Sequence, residues 1–432
     1  MATVPVYVGQ CGNQLGFKLD EAKLKASFSN DPSSGQQEAA SLSSWYRTPE
    51  KKSYRRCIMI DTETKVVNKL NTLKCKLSPD RKKSKELLTQ TTREENIIFG
   101  KRGRGNNWAL GYEGLSTERI LEQAIESIRK ESERCDMFNN IMMVQSLCGG
   151  TGGGLGSRLL ETLRNEFRLE HIISCVVAPF TSGDTPLQHY NALLSLTSLQ
   201  KFSDAVLLFR NDMVSRHCSE GQQAAVSFAQ MNLYMAKCIA GLTLPTDTLT
   251  PVRGYGCELE LSEIVRSVCP QPSLKFLTTN HKSRQTTDVK ALCNAVVNLT
   301  KQESMGKFCQ CLSSVAVIRG PETERNAHTL LPAMEKRIRK ELSAVSWNPF
   351  PIDYWLASQS KLGARDEHDV TLVSNYSNII PYAEHVWSRA QQMYRQKAYL
   401  HWYYKHGLSQ EYFEEAFYTV EEIVDNYTEA VR

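Results

Sequence analysis

A chain of 432 residues is too long for one small core and calls for two or three packed units. Its hydrophobic content of 41% and charged content of 23% are those of a soluble globular protein, and no apolar run approaches the roughly 20 residues of a membrane helix. The net charge of +5 is mild and by itself points to no polyanionic partner.

The first residues, Met-Ala-Thr-Val-Pro-Val, lack the basic and apolar regions of a secretion signal. Val4 to Val8 reads as a strand, and Val8-Gly-Gln-Cys-Gly-Asn-Gln-Leu-Gly16 follows as a glycine-rich turn that opens a helix. Residues 30 to 52 are polar and read as a surface loop. Cys57–Ile60 and Ile97–Phe99 are further short apolar runs. Ile120, Leu121, Ala124, Ile125 and Ile128 recur at helix spacing. The apolar run Ile141 to Gln145 leads into Ser146-Leu-Cys-Gly-Gly-Thr-Gly-Gly-Gly-Leu-Gly156, and Ser157 to Phe167 reads as a helix. Ile172–Val177 and Ala205–Phe209 are again strand-like. This alternation predicts a doubly wound α/β domain around a mostly parallel sheet, with any ligand beyond the C-terminal strand ends.

Gln222 to Ala240 reads as one long helix. A second, smaller unit follows with strand-like segments at Leu274–Leu277, Val315–Ile318 and Val370–Val373. Ala383 to Leu400 and Glu411 to Tyr427 are helical. The expected division is a nucleotide-binding domain over 1–220, a core helix over 221–242, an intermediate α/β domain over 243–373 and C-terminal helices over 374–432.

Strand, glycine turn and helix is a geometry for holding phosphates. Glycines let backbone N–H groups approach an anion, and the helix N-terminus adds positive potential. No Lys follows the glycines, so this is not a Walker-type loop, and the register also misses G-x-G-x-x-G. The thirteen cysteines have no disulfide or zinc spacing and imply reduced thiols in a cytosolic protein. Much of the positive charge lies in one block: Lys51, Lys52, Arg55, Arg56, Lys74, Lys76, Arg81, Lys82, Lys83, Lys85, Lys101, Arg102 and Arg104. A solvated loop face is the plain reading, and a surface for an acidic partner is the functional one. The block lacks interleaved aromatics, which argues against nucleic acid.

The two glycine motifs resemble those of the tubulin family. So, in family order, do Ile60-Asp-Thr-Glu63, Gly105-Asn-Asn-Trp-Ala109, Tyr190-Asn191, Asn211-Asp212, Pro270-Gln-Pro272 and His401-Trp-Tyr403. The resemblance covers essentially the whole chain. It implies GTP or GDP with Mg²⁺ as cofactors. Gln10, Cys11 and Gln14 would lie by the phosphates, base and metal shell. Asp61 and Glu63 would serve Mg²⁺. Asn106 and Asn107 would reach the terminal phosphate, and Ser146, Gly149, Gly150, Thr151 and Gly152 would cradle the phosphates. Asp184, Gln188, Asn211, Phe228 and Asn232 would meet ribose and base. Four positions depart from the family pattern: Cys148 for glycine, Gly153 for serine, Gln188 for glutamate and Phe228 for tyrosine. Hydrolysis in the family is completed by the next subunit, and Glu263 matches the acidic position that acts in trans. Any GTPase activity would thus need a head-to-tail neighbour.

Asn426-Tyr-Thr-Glu-Ala-Val-Arg432 lacks the acidic tail of microtubule-forming subunits, and Thr278 to Met305 shows no clear lateral-contact loop. Residues 129–136 and 396–401 are most similar to the delta and zeta branches, those of centrioles and basal bodies. The resemblance therefore implies a cytoplasmic, cytoskeletal protein at the centriole, centrosome or basal body. Its partners would be other tubulins head to tail, microtubules and centriolar proteins, with neither nucleic acid nor membrane. The rival readings are a self-polymerising GTPase subunit and a nucleotide-locked interaction module.

Overall fold

The computed structural model describes residues 2–28, 46–47, 54–70, 72–76, 87–114, 116–135, 138–183, 185–219, 225–244, 246, 261–286, 288–321, 323, 325–360, 362 and 367–432. Strands β1 (Ala2–Val8), β4 (Ile58–Asp61), β7 (Ile97–Phe99), β8 (Phe138–Ser146), β9 (His171–Ala178) and β10 (Ala205–Arg210) form a parallel sheet, where the sequence places its apolar runs. Val, Ile and Met dominate because these central strands are covered on both faces. Strands β2 (Tyr46–Arg47), β3 (Tyr54–Arg55), β5 (Thr72–Lys76) and β6 (Leu87–Thr92) make a separate small sheet that no alternating pattern announced.

The second unit does not have a sheet of its own. Strand β11 (Phe276–Arg284) pairs in parallel with β10 at Val206↔Phe276 and Leu207↔Leu277. Beyond it come β14 (His368–Tyr376), β12 (Cys311–Arg319) and β13 (Ile352–Ala357). The result is one ten-stranded sheet, ordered β13-β12-β14-β11-β10-β9-β8-β1-β4-β7. Only residues 285–288 separate β11 from the next helix, so Thr278–Arg284 is strand rather than a long loop.

Helices cover both faces. On one lie α1 (Gly9–Phe28), α2 (Thr64–Leu70), α7 (Asn211–Ser219), α8 (Phe228–Thr243) and α9 (Leu261–Val268), around Leu15, Leu19, Met235 and Ile264. On the other lie α3 (Trp108–Tyr112), α4 (Thr117–Glu133), α5 (Gly156–Glu166) and α6 (Gln188–Phe202), sharing a core with C-terminal helices α12 (Ile379–Arg395), α13 (Leu400–Tyr404) and α14 (Gln410–Ala430). Helices α10 (Val289–Gln302) and α11 (Ala327–Glu341) close a third core over β12 and β14.

Helix α8 starts at Phe228, and Gln222 lies outside the described residues. Ser227 and Gln230 form a reciprocal capping box there, with Ser227 N donating to Gln230 Oε1 at 2.8 Å and Gln230 N to Ser227 Oγ at 3.3 Å. Its far end is closed by Arg319, whose guanidinium donates to the carbonyls of Gly241 and Leu244 at 2.8 Å each.

Candidate functional site

The parallel strands β1, β4, β8, β9 and β10 all end on the same side, and each runs there into a turn or helix. These segments line one cleft of about 770 Å³. A crevice outside the carboxyl ends of parallel strands is the ligand position for such sheets.

Two glycine turns meet in its floor. Gly9 has φ +75°, and a Cβ there would stand 3.0 Å from Gly152 N. A Cβ at Gly152 would stand 2.3 Å from Ser146 Oγ. Only glycine permits this approach. The first helical bonds after β8 run from Gly153 N and Gly154 N to Gly149 O. The N–H groups of Gly150, Thr151 and Gly152 precede them and have no intrahelical acceptor, which is the arrangement that receives an anion. Asn13 Nδ2 ties this turn to the neighbouring strand, donating to Gly9 O and to Ile60 O at 2.9 Å.

The acidic turn after β4 forms one rim. Asp61 is buried, and its Oδ1 accepts from Thr62 N at 2.7 Å and Glu63 N at 3.4 Å. Burial pushes its carboxyl up to about 6, against the pull of those two N–H groups. Glu63 is exposed beside it, and Thr62 Oγ1 lies 2.7 Å from Thr151 Oγ1, joining the rim to the glycine loop. Among the described residues no cluster of three or more His, Cys, Asp or Glu could hold a metal alone. Two carboxylates nevertheless fit a hard cation that takes its other oxygens from phosphate and water.

Gln10, Cys11, Gln14, Asn106, Ser146, Gly149, Gly150, Thr151 and Gly152 all line the cleft with Asp61 and Glu63. Gln188, Asn211, Phe228 and Asn232 line it too. Burial pushes the Cys11 thiol up to about 12, so it is neutral. The Phe228 ring is exposed and meets Phe180 edge-on at 6.3 Å. Asp184 lies outside the described residues. Asn107 does not reach the cleft: its Oδ1 accepts from Leu110 N at 3.3 Å as the cap of α3, and its Nδ2 donates to Trp402 O at 3.1 Å. Glu263 is half-buried in the first turn of α9 and is not part of this cleft.

The substitutions have local partners. Cys148 Sγ donates to Gln188 O at 3.4 Å. A Cβ at Gly153 would come within 2.9 Å of Ser195 Oγ, and that hydroxyl donates to Leu147 O at 2.7 Å, so glycine fits here.

Several positions escaped the sequence reading. Asn191 is buried, donates to Asn106 O and Cys148 O at 2.7 Å each, and accepts from Tyr403 Oη at 2.7 Å. It thereby fixes two cleft loops to the C-terminal helices. Its place in the Tyr190-Asn191 pair that carries the family resemblance was the available signal. Thr62, Thr185, Met231 and Met235 also line the cleft.

The basic block is not one face. Arg55 is buried against Asp20 at 3.3 Å, Arg56 lies 4.0 Å from Glu131, and Arg104 is buried in the cleft wall. Lys101 and Arg102 are exposed. Lys51, Lys52, Arg81, Lys82, Lys83 and Lys85 lie outside the described residues.

Residues 3–219 match the Tubulin/FtsZ family, GTPase domain. The chain is 25% identical over 480 residues to the tubulin delta chain of Homo sapiens, covering 99% of both chains. It is 24% identical over 470 residues to the tubulin delta chain of Mus musculus, again covering 99% of both. To the tubulin beta-1 chain of Colletotrichum graminicola it is 25% identical over 444 residues, covering 98% of this chain and 94% of that one. No described helix is long and apolar enough to cross a membrane. The glycine cradle, the acidic rim and the match over the whole parallel-sheet half lead to one conclusion: this chain belongs to the Tubulin/FtsZ family as a divergent tubulin, which implies a cytoskeletal protein that binds GTP or GDP.

Proposed function

We propose that the chain is a delta-type tubulin that holds GTP or GDP in this cleft and serves in the organisation of centriolar or basal-body microtubules. The observation that carries the nucleotide reading is the meeting of Gly9 and Gly152 at the start of the helix that follows β8. The delta chains among its full-length relatives and the resemblance of residues 129–136 and 396–401 support the branch. The zeta branch is the alternative on the same residues.

In this reading the N–H groups of Gly150 to Gly152 take the phosphates and Asn106 borders the terminal one. Asn211 and Asn232 read guanine, since a carboxamide offers both donor and acceptor to its edge. Phe228 stacks on the base, and Gln188 and Asp184 serve the ribose. Asp61 and Glu63 hold Mg²⁺, which when bound neutralises phosphate charge. The division of labour follows 1–220 for nucleotide, 221–242 as core helix, 243–373 as the unit that presents Glu263, and 374–432 as a docked helical layer. Glu263 orients water at the nucleotide of a head-to-tail neighbour, so turnover belongs to an assembly.

Denaturing the purified protein and identifying the released nucleotide tests the first half. Guanine nucleotide is expected, and adenine nucleotide or none overturns it. Tagged protein in dividing and ciliated cells tests the second: signal at centrioles or basal bodies is expected. Filaments of the purified chain with GTP, seen by electron microscopy, would replace it with a self-polymerising subunit.

A further inference from the structure

Five arginines among the described residues are buried: Arg55, Arg56, Arg104, Arg210 and Arg319. Four have a carboxylate within reach. Arg55 stands 3.3 Å from Asp20, Arg56 4.0 Å from Glu131, Arg210 2.6 Å from Glu303 and Arg319 3.5 Å from Asp369. Arg104, 6% exposed, has no such partner among the described residues. Its Nη2 donates to Ser116 Oγ at 2.9 Å and Thr117 Oγ1 at 3.4 Å, and its Nε has no hydrogen-bond partner among the described residues. Hydroxyls supply no counter-charge, and a buried charge is costly until it is paired.

Its location says what can pair it. Arg104 lines the cleft immediately before Gly105 and Asn106. Gly150 packs against it: a Cβ there would lie 2.7 Å from Arg104 Cβ. Among the charged residues described in the lining, Asp61 and Glu63 are acidic and Arg104 is the basic one. We propose that Arg104 is the in-chain counter-charge for the terminal phosphate of the bound nucleotide, so that the cleft favours a triphosphate over a diphosphate. The proposal rests on the nucleotide reading above. A guanidinium already fixed by two hydroxyls pairs with phosphate at little ordering cost. Arg104 lines the cleft wall as its basic residue, and the acidic rim is left to the divalent cation.

The competing role is a brace that merely ties the loop at 104 to the start of α4. Two variants separate them. Arg104→Gln can still donate to the hydroxyls but carries no charge, and Arg104→Lys keeps the charge. Affinities of nucleotide-free protein for GTPγS and GDP are measured by calorimetry, with and without EDTA. Arg104→Gln is expected to lose roughly 10- to 100-fold in GTPγS affinity, the usual loss for a charged hydrogen bond, and less than about 3-fold for GDP. The gap should widen in EDTA, and Arg104→Lys should keep most of the affinity. Pyrophosphate should raise the melting temperature of the wild type and of Arg104→Lys more than that of Arg104→Gln, which provides a reading even for a weakened fold. Unchanged GTPγS affinity in Arg104→Gln overturns the proposal while the nucleotide reading stands. A wild type that binds neither GTPγS nor GDP overturns both.

Discussion

Two buried guanidinium groups show how the halves of the molecule differ. In the second unit Arg319 meets an acid: it lies 3.5 Å from Asp369 and caps α8 through Gly241 O and Leu244 O, while Ser360 Oγ donates to Asp369 at 2.7 Å. In the nucleotide half Arg104 meets two hydroxyls and no acid among the described residues. The same contrast runs through the backbone. Asn375 in β14 spends its amide on Val268 O and Leu274 O, and Ser314 donates to Ser374 across the sheet. Around the cleft, by contrast, helix N–H groups and carboxylates face a cavity. A region whose buried charges meet their counter-charges is scaffold. A region that leaves them facing a cavity is built to be completed by something else.

The comparison is tested hardest where the closed half is opened. Asp369→Ala would leave Arg319 buried without its acid, and breaking a buried pair costs about 3–5 kcal/mol. Urea denaturation should show that loss, while GTP affinity of the folded fraction stays at the wild-type value. A fall in affinity at undiminished stability would mean that the two halves are not separable in this way.

Gly150→Val attacks the open half. The Cβ would meet Arg104 Cβ at 2.7 Å, Arg104 O at 2.8 Å and Asn107 O at 2.9 Å. The clash is steric, and the glycine is buried. The variant should therefore lose nucleotide binding and also about 1–3 kcal/mol of stability. Filter binding and a thermal melt report the two effects, and a folded variant with full GTP affinity would remove the loop from the cradle. Asn211→Ala is gentler. It removes one half-buried carboxamide from the wall and should weaken guanine binding by about 1–3 kcal/mol, with stability nearly unchanged. Side-by-side GTP and ATP titrations check it: equal losses for both would take Asn211 away from the base.

The contrast also accounts for what could be read from the chain. The parallel sheet was legible because Ile141–Val144, Ile172–Val177 and Ala205–Phe209 are continuous apolar runs, as strands covered on both faces must be. The glycine turns were legible because close backbone approach requires that residue and no other. Side-chain fates set by distant partners were not. Arg55 and Arg56 read as surface charge, and only the fold brings Asp20 and Glu131 to them. Asn107 read as a phosphate contact, and a cap bond to Leu110 N together with the Trp402 carbonyl takes its carboxamide elsewhere. The continuity of the sheet rests on two residue pairs between β10 and β11, far too local to show in periodicity.

The smallest expected effect concerns Glu263, which belongs to the scaffold half in position and, in the proposed reading, to the open half in chemistry. It stands in the first turn of α9, whose Leu261, Ile264, Val265 and Val268 are buried in the core beneath the sheet, and it takes no part in lining this chain's own cleft. Glu263→Ala should therefore leave the protein's GTP affinity within about 0.5 kcal/mol of wild type, as for substitutions outside a site. If the residue orients water for a neighbour, phosphate release should slow in assemblies where the variant sits head to tail on a GTP-loaded tubulin, and should be unchanged in the isolated chain. Phosphate release is followed in mixtures of the variant with tubulin, against the same mixtures made with wild type. Weakened binding in the isolated variant would place Glu263 in its own chain's site. Equal release in both mixtures would leave it an ordinary helix glutamate, and the second unit would then be scaffold throughout.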